Sequence, residues 1–164
     1  MNIIYTPVRQ KYHMERPAKN LTIEDSRAKA QRFLRAALSK KALRPVLLRL
    51  DKITPIADYF LIVSGRSARH ATAIAEAIIE NAHLDSTNPY SIEGLKQGNW
   101  VLLDFGEIII HVFQDHSRDF YDLEGLWSDA PREAFPPDLM EEIDAAREMD
   151  ESDEDDYEGN FITS

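Results

Sequence analysis

The stretch that decides the fold runs from Trp100 to Trp127 and reads WVLLDFGEIIIHVFQDHSRDFYDLEGLW. Two apolar runs, 100–104 and 107–113, stand on either side of Phe105-Gly106, and a short amphipathic segment follows them. Apolar runs of this length around a glycine-containing pair predict a β-hairpin. Large aromatic residues and single carboxylates are interspersed among the aliphatic ones, and they form no plausible catalytic set. The stretch therefore favours a binding surface over an active site.

Taking Phe105-Gly106 as a two-residue loop predicts a register for this hairpin. The predicted partners are Leu103 with Ile108, Val101 with Ile110, and Trp100 with His111. Since side chains alternate across a strand, the two faces differ. The first, predicted to be core, carries Val101, Leu103, Ile108, Ile110 and Val112. The second mixes apolar and polar groups: Trp100, Leu102, Asp104, Glu107, Ile109, His111 and Phe113. This second face is either a docking face or a face covered by the chain's own helix, with Asp104 at its solvent-exposed edge. The spacing of the residues does not decide between the two.

The residues after the hairpin predict one helix that is capped by Asp115 or Ser117 and runs to about Trp127. Its apolar stripe would carry Phe120, Leu123 and Trp127, flanked by Tyr121 and Glu124. Trp, Tyr and Arg are the residue types that most often anchor interfaces, but they are also frequent in cores. The stripe is thus either part of an interface or packed on the sheet.

The chain has 164 residues, 43% of them hydrophobic, which is enough for one domain with a real core and two tails. It has no cysteine, which excludes disulfides, thiolate zinc sites and a cysteine nucleophile and suits the cytoplasm. No apolar run approaches the roughly 18 residues that a membrane span needs. We expect a cytoplasmic protein without a membrane partner.

Charge is distributed very unevenly along the sequence. Residues 1–50 carry a net charge of +9, residues 51–114 of −4, and residues 115–164 of −15, within a total of −10. So dense a block of like charge repels itself and stays solvated. It disfavours direct binding to nucleic-acid phosphate, DNA included, and favours a basic protein partner.

The rest of the chain predicts a single α/β domain, a mixed β-sheet flanked by helices. The predicted elements are a helix from Thr22 with a capping box to Asp25, strands at Val46–Ile53 and Asp58–Ser64, a helix from Ser67 to about His83, and a short strand at Tyr90–Glu93. We expect residues 1–21 to be a flexible leader and residues 22–130 to be the domain. Residues 131–164 are expected to be an acidic, disordered tail with a marginal helix at 138–150.

Three short motifs could carry chemistry. Asp104-Phe105-Gly106 matches the metal-binding triplet of kinases, but the chain lacks a kinase's other motifs, so we interpret it as a turn. Ser64-Gly65-Arg66-Ser67 is similar to the Gly-Ser entry of nucleotidyltransferases, without the paired carboxylates that hold Mg²⁺ there, so a helix cap is favoured. The histidines show no metal-ligand spacing. The sequence therefore predicts no catalytic residues, no metal site and no cofactor.

Several of these residues, in this order and spacing, resemble the ribosomal silencing factor family, also called Iojap-like proteins. The matching stretches are Asp51, Ile56 to His70 (IADYFLIVSGRSARH), Glu93-Gly94, WVLLDFGEIIIHVF, and then Arg118, Tyr121, Leu123-Glu124 and Leu126-Trp127. The similarity covers about Thr22 to Trp127, and the leader and the acidic tail fall outside it. The extended tail departs from the family pattern, and we hypothesise that it repels rRNA phosphate.

The resemblance implies an α/β fold similar to nucleotidyltransferases but without their catalytic residues. It implies binding to the large ribosomal subunit through its ribosomal protein fourteen, on the face that meets the small subunit. Subunit joining would then be blocked and translation lowered when nutrients are short. Homodimers are also implied. We expect the partner-binding residues to be Trp100, Leu102, Asp104, Tyr121 and Trp127, with Arg118 and Glu124 as polar partners or braces. A large-subunit assembly factor and a nucleotidyltransferase-like enzyme using Ser64 and Ser67 are the alternatives.

Overall fold

The computed structural model describes residues 21–158, with side chains described as far as Ser152. Residues 1–20 and 159–164 lie outside the described residues, and they hold all but the last residue of the leader predicted at 1–21 and the end of the predicted tail. The elements in chain order are α1 (Ile23–Leu38), β1 (Leu43–Arg49), β2 (Tyr59–Gly65), α2 (Ala68–Leu84), β3 (Ser91–Glu93), β4 (Trp100–Asp104), β5 (Ile108–Gln114), α3 (Asp115–Tyr121), α4 (Leu123–Leu126) and α5 (Pro137–Glu158).

The five strands form one sheet in the order β1-β2-β5-β4-β3. β2 and β5 are parallel, and the other neighbouring pairs are antiparallel. This mixed sheet with helices on it confirms the predicted fold class. The chain reaches β5 from β2 through α2 and the β3–β4 pair, which places the helical crossover on one face of the sheet.

Each face of the sheet carries its own apolar core. Helices α1, α2 and α5 cover the larger core, which includes the predicted aliphatic face of the hairpin. The segment from 115 to 130, with α3 and α4, closes the smaller core on the opposite face. Both sheet faces are therefore covered, as the continuous apolar strands indicated.

Helices α1 and α2 begin where the sequence predicted. The Thr22 hydroxyl accepts from the Asp25 N–H at 3.1 Å, and the Asp25 carboxylate accepts from the Thr22 N–H at 3.0 Å, which closes the capping box. The Ser67 hydroxyl accepts from the His70 N–H at 3.1 Å. The cap interpretation of the Ser64–Ser67 motif is thus confirmed.

The hairpin turn lies one residue later than predicted, so the predicted register is wrong. Phe105 pairs with Ile108 through an N–H to carbonyl bond of 2.9 Å, which leaves Gly106 and Glu107 in the turn. Gly106 has φ +89°, and a positive φ at the first turn position is what the favoured two-residue hairpin turns require. The partners are Trp100 with Phe113, Val101 with Val112, Leu102 with His111, Leu103 with Ile110, and Asp104 with Ile109. Every pairing shifts by two residues, which preserves both predicted faces.

The single helix predicted after the hairpin is two helices. Asp122 stands between α3 and α4 with φ 46° and ψ 53°, a left-handed conformation that stops the first helix. Its carboxylate then accepts from the Gly125 N–H at 3.2 Å and caps the second helix. Neither Asp115 nor Ser117 caps α3, because Gln114 holds the N-cap position without a side-chain bond.

The prediction of a disordered tail is wrong for the part of the tail that the structure describes. The chain forms a continuous helix, α5, from Pro137 to Glu158. Leu139 is fully buried and Ala146 nearly so, and both belong to the larger core. Charge composition predicted disorder with only a marginal helix at 138–150. The structure has a longer helix there, because Leu139, Ile143 and Ala146, four and three residues apart, dock it on the larger core.

Candidate partner-binding surface

Three of the residues expected to bind a partner are buried inside the domain. Leu102 and Trp127 are 5% and 6% exposed, and Trp127 packs edge-to-face on Phe60 with ring centroids 5.3 Å apart. Asp104 is buried too, and its carboxylate accepts from the Gly106 N–H at 2.8 Å, which supports the hairpin turn. The second hairpin face is therefore covered by the chain's own segment, and these side chains stabilise the fold.

Arg118 and Glu124 act as a brace inside the domain. Arg118 is 1% exposed, and its Nε and Nη2 donate to the two carboxylate oxygens of Glu124 at 3.0 and 2.9 Å. Its Nη1 donates to the Arg44 carbonyl at 2.7 Å and to the Ser64 hydroxyl at 2.9 Å. The hydrogen bonds that Arg118 donates to Glu124 lower the pKa of the Glu124 carboxyl, which favours the charged pair. The brace ties α3 and α4 to the ends of β1 and β2.

Trp100 lies at the margin of the smaller core, between buried residues and the surface. It is partly buried, stacks on Phe113 with ring centroids 4.8 Å apart, and donates from Nε1 to His111 Nδ1 at 3.1 Å. Burial lowers the pKa of His111 to about 3, so the ring is neutral at physiological pH and accepts this hydrogen bond. The orientation of Trp100 is thus set by buried groups.

A row of three rings, which we call the aromatic ridge, consists of the partly buried Trp100 and the exposed Tyr121 and Phe120. The Trp100 and Tyr121 ring centroids are 4.9 Å apart, and those of Tyr121 and Phe120 are 5.2 Å apart in an edge-to-face contact. Tyr121 is 46% exposed and Phe120 is 78% exposed. Of the seven expected contact residues, the structure brings Trp100 and Tyr121 to this surface.

The sequence analysis did not single out Phe120, because it put Phe120 on one stripe with Leu123 and Trp127 and left open whether that stripe was an interface or packed on the sheet. In the structure those two are buried and Phe120 is not. The interruption at Asp122 separates them, since residues on either side of it no longer share one helical phase. An Asp followed three residues later by Gly was the signal for a second N-cap.

The segment that carries Phe120 and Tyr121 is rich in acidic residues. The segment 115–129 carries five carboxylates against one Arg, and that Arg is the buried Arg118. Arg44 offsets part of this charge through ion pairs with Asp115 at 2.6 Å and Asp119 at 3.0 Å. The surface therefore combines exposed rings with net negative charge.

The described residues contain no group of three or more His, Cys, Asp or Glu side chains that could hold a metal ion. Within the same part of the chain, no helix has the length and apolar character to cross a bilayer.

Fold and surface together define the class of protein: an α/β domain on a mixed five-stranded sheet that presents an exposed aromatic ridge. The family described as Ribosomal silencing factor during starvation matches residues 23–160. The chain belongs to this family, as the resemblance implied.

Relatives and a solved structure agree with this assignment. A ribosomal silencing factor of Halalkalibacterium halodurans is 40% identical over 101 residues, which are 62% of this chain and 86% of that protein. A crystal structure from Bacillus halodurans superposes with a TM-score of 0.60 at 33% identity, covering 66% of this chain and 99% of that one. A Mus musculus protein named Mitochondrial assembly of ribosomal large subunit protein 1 is 39% identical over 74 residues, which are 43% of this chain and 32% of that protein.

Proposed function

We propose that this protein is a translational repressor that binds the large ribosomal subunit and prevents the small subunit from joining it. The observation that carries the proposal is the match of residues 23–160 to the ribosomal silencing factor family. Within the large subunit, the proposed partner is ribosomal protein fourteen. The mechanism requires binding alone, without chemistry on the partner.

The aromatic ridge is the proposed contact surface. Exposed aromatic side chains offer large apolar area with few rotatable bonds, and such residues dominate the energetics of interfaces. Phe120 exposes 78% of its surface, a costly exposure unless a partner covers the ring. Trp100 supports the ridge from below, where its indole is fixed by Phe113 and His111.

The charge around the ridge supports a basic protein partner. Carboxylates of Asp119 and Asp122 flank the two outermost rings, Phe120 and Tyr121, in the sequence. An acidic surface repels rRNA phosphate and attracts Lys- and Arg-rich protein, and this attraction raises the association rate. Association should slow as salt rises, because exposed charges are screened.

Steric exclusion follows from the size of the domain. A compact unit of the 138 described residues is roughly 35 Å across. Bound on the joining face of the large subunit, it would occupy volume that the small subunit needs. Repression then depends on occupancy, so it should follow the affinity for the large subunit.

Co-sedimentation with isolated 50S and 30S particles tests the proposal. The full chain should pellet with 50S and stay in the supernatant with 30S. The double variant Phe120→Ala/Tyr121→Ala should bind 50S roughly tenfold or more weakly, as loss of interface anchors does. Leu84→Ala is the matched control, since Leu84 is 80% exposed at the end of α2 and should leave binding unchanged. A wild-type chain that does not pellet with 50S would contradict the proposal.

Assembly of the large subunit is a second candidate function, because one relative is named for mitochondrial assembly of that subunit. Both functions would use the same surface. Depletion of the protein separates them: an assembly factor leaves precursor large subunits, whereas a repressor leaves mature subunits and sustained translation in starved cells. A homodimer is also implied by the family resemblance, and sedimentation equilibrium of the full chain measures it.

A further inference from the structure

The helix that carries the two exposed rings, α3, has no buried apolar side chain. Of its seven residues, all within the described part of the chain, Arg118 alone is buried. Its N-cap residue, Gln114, makes no side-chain cap hydrogen bond. A helix this short is marginal in isolation, since most helical stability comes from packing of an apolar face. The position of α3 on the domain therefore depends largely on polar contacts.

Arg44, the second residue of β1, supplies three of these polar contacts. Its guanidinium donates from Nη1 to the Asp115 carboxylate at 2.6 Å and from Nη2 to the Asp119 carboxylate at 3.0 Å. These two carboxylates are four residues apart, so the guanidinium bridges one turn of α3. The Arg44 carbonyl accepts from Nη1 of the buried Arg118 at 2.7 Å. The side chain and the backbone of one residue thus hold the same helix.

The backbone of Arg44 has an unfavourable conformation. Its φ is 50°, in the left-handed region that glycine adopts far more readily than arginine. Pro45 follows it, and a proline pushes the residue before it toward extended conformations. The same place carries a register shift between β1 and β2, from Leu43 to Val46. A residue keeps such a backbone only where the surrounding contacts compensate for it, and strained positions of this kind cluster at functional sites.

We propose that Arg44 is a positioning residue for the aromatic ridge, because it fixes α3 and thereby the rings of Phe120 and Tyr121. The inference rests on the proposed function in one respect, namely that the ridge is the surface that contacts the protein partner. Tyr121 meets Trp100 with ring centroids 4.9 Å apart, so a shift of α3 would open the ridge at this contact. Rings that are held in place before association lower the ordering cost of binding.

A purely electrostatic role for Arg44 would have the opposite consequence. Arg44 places a cation beside two carboxylates that would attract a basic partner, so its removal should strengthen binding if charge alone mattered. Positioning predicts weaker binding instead. A guanidinium suits positioning, because its planar fork directs its hydrogen bonds in fixed directions. The sign of the effect on binding therefore separates the two roles.

The test breaks the contact from both of its sides. Arg44→Gln makes the surface more acidic by one charge and Asp119→Asn makes it less acidic by one charge, yet both release α3. We expect R44Q to bind 50S about two- to tenfold more weakly and D119N about two- to fivefold more weakly, as loss of exposed ion pairs allows. Arg32→Gln and Asp85→Asn are the matched controls, since Arg32 and Asp85 form another exposed ion pair, between α1 and the C-cap of α2. Both controls should bind as the wild type does.

Amide hydrogen exchange of the free protein tests the positioning of α3 without the ribosome. Exchange in α3 should be about two- to tenfold faster in R44Q than in R32Q, because the lost ion pairs enter the free energy of local opening. High salt should bring exchange in wild-type α3 toward that of R44Q, since exposed ion pairs are screened. Urea unfolding should give R44Q and R32Q similar stabilities, so that a difference in binding between them does not come from unfolding.

Two results would overturn the inference. One is an R44Q variant that binds 50S as tightly as the wild type or more tightly, and the other is equal exchange in α3 for R44Q and R32Q. Failure of the wild-type chain to pellet with 50S would instead overturn the proposed function. The exchange comparison would still decide whether Arg44 holds α3, because it uses the free protein.

Discussion

Arg118 determines the shape of the proposed binding surface although it contributes nothing to the surface itself. Its guanidinium connects Glu124 on α4 with the Arg44 carbonyl and the Ser64 hydroxyl. Phe120 and Tyr121 lie two and three residues after it on the same helix, α3, so the brace positions both rings. A buried charge is favourable only while its partners are in place, which makes this group sensitive to substitution.

Replacing Arg118 by Met should therefore destabilise the domain by about 3 kcal/mol, because Glu124 is left beside an apolar side chain. Chemical denaturation at neutral pH measures the loss. Arg132→Met is the control, since Arg132 approaches the same Glu124 at 3.7 Å but is 63% exposed, and it should change stability by less than about 1 kcal/mol. Equal effects of the two substitutions would show that Arg118 is not a brace.

His111 should make the domain sensitive to mild acid. The pKa of this histidine is about 3 in the folded protein and 6.5 unperturbed, so the unfolded chain takes up the proton first as pH falls. Stability from this group is complete above about pH 6.5 and falls by about 1.4 kcal/mol per pH unit from there toward pH 3. By pH 5 the loss is about 2 kcal/mol.

Substitution isolates this contribution. His111→Gln keeps an acceptor for the Trp100 Nε1–H, and it should reduce the difference in unfolding free energy between pH 7 and pH 5 by about 2 kcal/mol. Urea unfolding followed by tryptophan fluorescence provides the measurement. His83→Gln, at an exposed position, should leave that difference unchanged. A pH dependence that survives in H111Q would assign the effect to other groups.

Sequence spacing placed residues on the correct faces but could not tell which ones a neighbouring segment covers. Trp100 and Trp127 have the same chemistry, and both were expected at the interface. Burial separates them, because Trp127 enters the smaller core against Phe60 while Trp100 lies at its margin. That outcome depends on how the 115–130 segment folds back over the sheet, which no local pattern specifies.

The hairpin illustrates why register is harder to predict than faces. Both Phe105-Gly106 and Gly106-Glu107 are plausible two-residue turns, and the faces are the same for each. The structure selects the second, which places Phe105 in the larger core, stacked on Phe33 with ring centroids 4.5 Å apart. Burial of an aromatic ring therefore outweighs the more common position of glycine in the turn.

Gly106→Ala tests the role of this turn. The new Cβ would lie 3.0 Å from the Tyr90 ring, at a φ of +89° that alanine rarely adopts. We expect a loss of about 1–2 kcal/mol in the free energy of unfolding, measured by denaturant titration. Gly106→Asn adds the same Cβ, but asparagine tolerates positive φ better, so its loss should be smaller. Should alanine prove harmless, the turn would have to lie elsewhere.

Segments of opposite charge that are far apart in the sequence are in contact in the structure. Composition predicted a basic first third and a solvated acidic tail, and the structure brings the two together through Arg35 with Asp138 and Glu142. Net charge over a long segment says little about docking when a few apolar side chains at helical spacing lie within it. The boundary predicted at residue 130 therefore divides a unit whose larger core includes residues on both sides.

Two adjacent residues of α5 test whether this helix belongs to the folded unit. Leu139 is fully buried in the larger core, whereas Met140 is 43% exposed. Leu139→Ala should cost about 3 kcal/mol, from lost transfer free energy and the cavity left behind. Met140→Ala should stay within about 0.5 kcal/mol of the wild type, as surface substitutions usually do.

Thermal denaturation and amide hydrogen exchange together give the outcome. If α5 is integral to the domain, L139A lowers the melting temperature and exchange in α1 accelerates with that in α5. If α5 detaches on its own, exchange accelerates in α5 alone and the melting temperature barely moves. Identical behaviour of L139A and M140A would mean that the helix is undocked, and the larger core would then have to be complete without Leu139 and Ala146.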